Sequence, residues 1–202
     1  MFNRTLDVHA GRDHLAKQGV HVPGIDLSTT YPLHDAKAGT ASIDAWANGE
    51  GQASNPVYSR LHNPTVAGFE AGLAALEKAE AAVAFASGMA ATTALLLSRR
   101  GHIVAVRPMY GGTDHLLASG LLGHDVTWVT ADGVADAVRP DTSLVWVETP
   151  ANPTLKMVDI ADVVQQAGDA PVVVDNTFAT PVLQKPLTVQ KAQELFKRLD
   201  SE

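Results

Sequence analysis

Four short stretches carry the side chains best suited to chemistry, and each comes after an apolar run. Ser87-Gly88-Met89 follows AAVAF (81–85) and leads into MAATTALLL (89–97). A turn that opens a helix presents free backbone N–H groups at the positive end of the helix dipole. It is therefore an anion site, to which the Ser87 hydroxyl adds one bond; a plain glycine-containing turn is the alternative. Tyr110-Gly111-Gly112 comes after HIVAV (102–106). The glycines permit close backbone approach, and the Tyr110 ring either stacks on a flat heterocycle or packs against the next helix. Asn152 sits in ETPANP (148–153), a loop stiffened by two prolines; it is a fixed hydrogen-bond donor or a residue that satisfies its own turn. Asp175-Asn176-Thr177 ends the run PVVVD (171–175). A carboxylate at the end of a buried strand is costly unless paired. A protonated ring nitrogen would pair it, as would a nearby arginine, histidine or helix N-terminus. Together these positions suggest one flat, phosphorylated cofactor, with its anion at Ser87-Gly88-Met89, its ring at Tyr110 and its nitrogen on Asp175.

Other chemistries lack their residues. The sequence has no G-K-[ST] phosphate loop, no G-x-G-x-x-G after Gly88, no H-E-x-x-H and no G-x-S-x-G. Its eight histidines include no pair at metal-ligand spacing on one element, so no metal site is expected. There are no cysteines, which excludes disulfides and thiolate ligands. With 15 basic against 22 acidic residues and a formal charge of -7, no nucleic-acid partner is expected. The N-terminus lacks the apolar core of a secretory signal and no apolar stretch is long enough for a membrane span, so a soluble, cytoplasmic protein is expected.

The elements that must position these residues follow from periodicity. Residues 1–62 show little of it and are rich in Gly, Pro, Ser and Asn, yet they contain Tyr31, Trp46 and Tyr58. An ordered arm lying on another surface fits those aromatics better than a disordered tail. Asn63-Pro64 is a helix start, and Val66, Phe69, Leu73 and Leu76 mark a buried helical face. Strands are expected at 81–85, 102–106, 125–130, 143–148 and 171–175, with helices at 112–122 (Leu116, Leu117 and Leu121 inward), 133–138 and 159–167. Apolar strands alternating with helices predict an α/β fold, a mostly parallel sheet covered on both faces. TVQKAQELFKRLDSE (188–202) has the spacing of an amphipathic helix.

The order of these motifs resembles one family. Pro23-Gly24-Ile25, Ser28-Thr29-Thr30-Tyr31, YSRLHNPT (58–65), FASGMAA (85–91), RPMYGGT (107–113), ETPANPT (148–154) and VVDNTFATPVLQKPL (173–187) are similar to the Cys/Met-metabolism, or transsulfuration, enzymes that depend on pyridoxal 5'-phosphate (PLP). The resemblance implies the large domain of a fold type I PLP enzyme with an extended N-terminal arm. Residues 1–62 would be that arm, 63–187 part of the PLP-binding domain, and 188–202 a tail foreign to the family. Ser87, Gly88 and Met89 would cradle the cofactor phosphate. Tyr58 and Arg60 would reach the phosphate of a partner's cofactor across a homo-oligomer interface. Tyr110 would stack on the ring and take part in catalysis, Asn152 would lie near the phenolic oxygen, Asp175 would hold the ring nitrogen, and Thr177 would sit beside the ring. The implied reaction is gamma-elimination or gamma-replacement on an amino acid such as cystathionine or an O-acyl-homoserine.

The family continues after a QKPL-type segment with a serine-alanine-threonine-lysine motif, and its C-terminal domain supplies an arginine for the substrate. This chain contains no S-x-x-K. The expectation is therefore a truncated member, inactive alone. It would be a non-catalytic remnant, or half of a split protein that binds PLP weakly or pairs with a full-length relative. Gly112 stands where methionine gamma-lyases commonly have cysteine, which favours a cystathionine gamma-lyase or gamma-synthase.

Overall fold

The computed structural model describes residues 3–12, 15–33, 35–48 and 56–189. The chain forms two compact units, Met1–Ala84 and Phe85–Glu202.

Within the first unit, the described residues of the segment expected to be an arm contain three helices: α1 (Asn3–His9), α2 (Leu15–Gln18) and α3 (Ala36–Ala47). A run without regular structure spans 23–33, apart from a bridge at Thr30. Asp35 caps α3 by accepting the Lys37 N–H. Helix α4 (Pro64–Glu77) starts as its sequence predicts. Asn63 accepts from the N–H groups of Thr65 and Val66, and Pro64 fills the first helical position, where no N–H is needed. Its apolar stripe behaves differently from the expectation, for Val66 is 44% and Phe69 60% exposed. Leu73 and Leu76 are half-buried, and the residue of α4 that is buried is Ala67. Gly11, at φ +73, lies so close that a Cβ there would meet the Gly68 carbonyl oxygen at 2.5 Å and the Gly72 nitrogen at 3.0 Å. Backbone contact across glycines thus joins the α1 end to α4, a form of packing that a hydrophobicity pattern does not register.

Among the described residues, the second unit is built on four parallel strands: β1 (His102–Val106), β2 (Asp125–Val129), β3 (Thr142–Glu148) and β4 (Val172–Asp175), in the order β2-β1-β3-β4. Helices α5 (Gly88–Leu97), α6 (Gly111–Ala118), α7 (Val134–Ala137), α8 (Ile160–Ala167) and α9 (Thr180–Leu183) connect and cover them. Side chains alternate along each strand, so the sheet has two dry faces. Ile103, Ala105, Leu144 and Trp146 pack with Leu96 of α5 and Leu117 of α6. Val104, Val106, Val145 and Val147 pack with Val134 of α7 and with Val163 and Ala167 of α8. At the start of the strands, fully buried His102 ties three of them together. Its Nδ1 lies 2.7 Å from Thr142 Oγ1 and its Nε2 lies 2.8 Å from Thr127 Oγ1.

Two further sequence expectations differ from the structure. AAVAF is not a strand: Val83 is 73% exposed, and the Ala84 N–H is taken by the Glu70 side chain rather than by a ladder. Helix α6 stops at Ala118, so Leu121 lies beyond it and is 81% exposed. The terminal amphipathic helix falls almost entirely outside the described residues, of which 186–189 are helical. No helix of the described residues is long and apolar enough to cross a membrane.

Candidate functional site

Parallel strands bring their C-terminal ends to one edge, where ligands of such sheets sit. A cavity of about 350 Å³ opens there, within the range that small-molecule ligands use. It is lined by Ser87, Gly88, Met89, Tyr110, Asn152, Asp175 and Thr177, so seven of the nine residues singled out from sequence meet in one place. The other two, Tyr58 and Arg60, belong to the N-terminal unit and do not line the cavity. There the antiparallel bridge Thr30↔Tyr58 holds the Tyr58 backbone, and the Arg60 guanidinium lies 5.0 Å from the Tyr58 ring centroid.

One end of the cavity is a helix start. Ser87 caps α5: its Oγ accepts the Ala90 N–H at 3.1 Å and its carbonyl accepts the Ala91 N–H. The Ser87 hydroxyl oxygen accepts as a cap, and its O–H can still donate to an anion. The N–H groups of Gly88 and Met89 precede the first intrahelical bond and are likewise available to an anion. At Gly88 even a Cβ would meet nothing within 4 Å, so the approach is open.

Tyr110 stands just before α6, 42% exposed, and its ring lies against Gly112. A Cβ at position 112 would meet Tyr110 Cε1 at 2.5 Å and Met89 Sδ at 3.2 Å. Glycine at 112 is thus what allows the ring to lie where it does. Across the cavity, Asp175 Oδ1 accepts the Thr177 hydroxyl at 2.5 Å and the Thr177 N–H at 3.1 Å. No basic side chain pairs with this carboxylate among the described residues. Of the partners considered from sequence, the local arginine and histidine are thereby removed, and the turn itself orients the acid. Gln184 secures the segment that follows β4, donating to the Thr149 carbonyl at 3.0 Å and to Asn176 Oδ1 at 2.8 Å.

Glu148, Thr113 and Phe178 also line the cavity and were not singled out as site residues. A signal for Glu148 was present, since it closes an apolar strand just as Asp175 does. It is 5% exposed; its Oε2 accepts the Tyr110 N–H at 2.5 Å and its Oε1 the Asn152 N–H at 2.7 Å. Phe178 and Thr113 stand inside the stretches VVDNTFATPVLQKPL and RPMYGGT, but neither has chemistry of its own that marks it, and the fold brings both to the site.

A parallel α/β sheet with a helix start, a part-exposed aromatic ring and an acid at its strand ends is the architecture of the fold type I class of PLP-dependent enzymes. The chain belongs to the Cys/Met metabolism PLP-dependent enzyme family, whose pattern matches residues 4–191. It is 60% identical over 191 residues to an L-methionine gamma-lyase of Streptomyces avermitilis, covering 91% of this chain and 46% of that protein. It is 38% identical to a cystathionine gamma-lyase of Bacillus subtilis, covering 94% and 48%. Among solved structures, metB from Corynebacterium glutamicum superposes with a TM-score of 0.80 at 34% identity, covering 94% of this chain and 48% of that one. The cystathionine gamma-lyase from Lactobacillus plantarum complexed with L-serine gives 0.79 at 33%, with coverage of 94% and 48%. The chain spans about half the length of the curated relatives it matches. PLP is the cofactor of this family.

Proposed function

We propose that the C-terminal unit is the cofactor seat of a PLP-dependent enzyme of sulfur amino acid metabolism, of the gamma-elimination or gamma-replacement type. The observation that carries the reading is the convergence, in one cavity, of the α5 N–H groups, the Tyr110 ring and the Asp175 carboxylate. These residues fit PLP. The N–H groups of Gly88 and Met89 take the phosphate. Tyr110 offers a face to the ring, Asn152 a donor to its oxygen, and Asp175 a negative charge that keeps the ring nitrogen protonated. When bound, PLP supplies an electron sink for carbanion chemistry on an amino acid. Tyr58 and Arg60 suit the phosphate of a cofactor in a second copy, because a guanidinium takes two phosphate oxygens at once.

Gly112 does not point away from methionine as a substrate. Here it makes room for Tyr110 and Met89, and relatives 55% to 60% identical are named L-methionine gamma-lyase. L-Methionine is therefore the first substrate to test, ahead of cystathionine.

Among the described residues no lysine lines the cavity. The reading is accordingly that this 202-residue chain holds PLP reversibly and does not turn over substrate by itself. Borohydride reduction followed by intact-mass measurement tests this. The expected result is PLP binding in titration, no stoichiometric phosphopyridoxyl adduct, and no 2-oxobutanoate from methionine. An adduct on one lysine together with steady turnover would overturn it. An adduct that forms only after a separate lysine-bearing polypeptide is added would show that another chain completes the site.

A further inference from the structure

We infer that Glu148 is a positioning residue, which holds the cofactor's two flanking contacts, Tyr110 and Asn152, in register. The inference rests on the reading of the cavity as a PLP seat. Tyr110 and Asn152 lie on separate loops, one after β1 and one after β3, and each loop owes its aim to its own backbone. The same carboxylate receives both: Oε2 accepts the Tyr110 N–H at 2.5 Å and Oε1 accepts the Asn152 N–H at 2.7 Å. Glu148 is only 5% exposed, so neither bond has water as a ready substitute. A carboxylate is the one side-chain group of this size with two acceptor oxygens and no donor, and charge-assisted bonds to backbone N–H groups are about twice as strong as neutral ones.

The carboxylate is itself fixed from behind. Glu148 is the last residue of β3, and its Cα pairs in register with Asp175 at the end of β4. The neighbouring Thr149 N–H donates to the Asp175 carbonyl at 3.3 Å. The acid for the ring nitrogen and the clamp for the ring's other neighbours are therefore adjacent rungs of one ladder. A shift of Glu148 would move the Tyr110 platform relative to Asp175, and catalytic geometry tolerates only small errors of that kind.

The test uses the full chain and two substitutions. Glu148→Gln keeps the shape but replaces one acceptor with an NH2 group, which must face one of the two N–H groups. Glu148→Ala removes both acceptors. Without cofactor, amide hydrogen exchange is followed at Tyr110 and Asn152. It is expected to quicken by about ten-fold or more at one of them in the Gln variant and at both in the Ala variant, with Val104 and Val147 in the sheet unchanged. With PLP added, the induced circular dichroism per bound cofactor at saturation is expected to fall in the Gln variant. This amplitude reports ring orientation and does not depend on affinity or on global stability. Unchanged exchange at both amides, or an unchanged saturating amplitude in the Gln variant, overturns the inference. If the Ala variant does not fold, the Gln variant decides. A wild-type chain that shows slow exchange at Tyr110 and Asn152 but binds no PLP would sink the cofactor reading while leaving Glu148 as the clamp of the two loops.

Discussion

Asp175 has both a cost and a use. Its carboxylate ends a strand whose residues are all part-buried, and its only described hydrogen-bond donors belong to Thr177. A protonated pyridine nitrogen would satisfy it, so Asp175→Ala should weaken PLP binding by roughly ten-fold, the scale of one charge-assisted bond. Thr177→Val should give a smaller loss by freeing the carboxylate to turn. Fluorescence titration with PLP measures both, and equal affinity in wild type and Asp175→Ala would exclude contact with the ring. A second residue acts on stability. Burial, and after it the positive charge of Arg139, lowers the pKa of His102, against weaker opposing effects of Asp125 and Asp141. The folded state therefore resists protonation of His102 more than the unfolded chain, which takes up a proton near the ordinary value of about 6.5. Stability should be fully present above that value and decline as pH falls below it. Denaturant midpoints measured from about pH 7.5 to about pH 5.5 should drop, and the slope should be shallower in His102→Gln. An identical slope in the variant would assign the titration to another group.

At the scale of elements, two left-handed glycines allow a controlled comparison. Gly11 has φ +73 and a backbone neighbour 2.5 Å from any added Cβ, whereas Gly19 has φ +68 and nothing within 4 Å. Both positions cost an alanine about 1–2 kcal/mol for the left-handed conformation. Only Gly11→Ala must also part α1 from α4. It should be the more destabilising of the two and should make the N-terminal helix more sensitive to limited proteolysis; equal effects would mean that the contact adds nothing. The contrast also shows what was legible in the sequence. Strands β1, β2, β3 and β4 and the start of α4 could be read, because short apolar runs and an Asn-Pro cap are local signals. The exposed Phe69 could not be foreseen, since α4 packs through glycines that leave no mark in a hydrophobicity pattern. AAVAF misled because an apolar run becomes a strand only where a neighbour pairs with it. In the site, Ser87, Tyr110, Asn152 and Asp175 were visible as residues after apolar runs. Phe178 and Thr113 were not, because their place depends on how α6 and the turn after β4 fold back.

For the molecule as a whole, the apolar surface speaks for association. Ile25 and Leu27 in the N-terminal unit are 79% and 85% exposed, and Leu183 in the C-terminal unit is 81% exposed. Surface of this kind is normally covered, and the outer strands of the sheet, β2 and β4, each have one unpaired edge among the described residues. Size exclusion with light scattering should show a species larger than one chain at tens of micromolar, whereas a monodisperse monomer would contradict it.

The two ends of the cavity differ in what heredity can change. At Gly88 and Met89 the groups offered to an anion are main-chain N–H groups, which every residue except proline carries, and a side chain added at Gly88 would meet open space. Most single-codon changes there leave the offered atoms in place. The ring end rests on individual side chains, Tyr110 and Asp175, each one codon away from loss. A lineage drifting without selection for its cofactor would therefore forget the ring long before it forgot the phosphate.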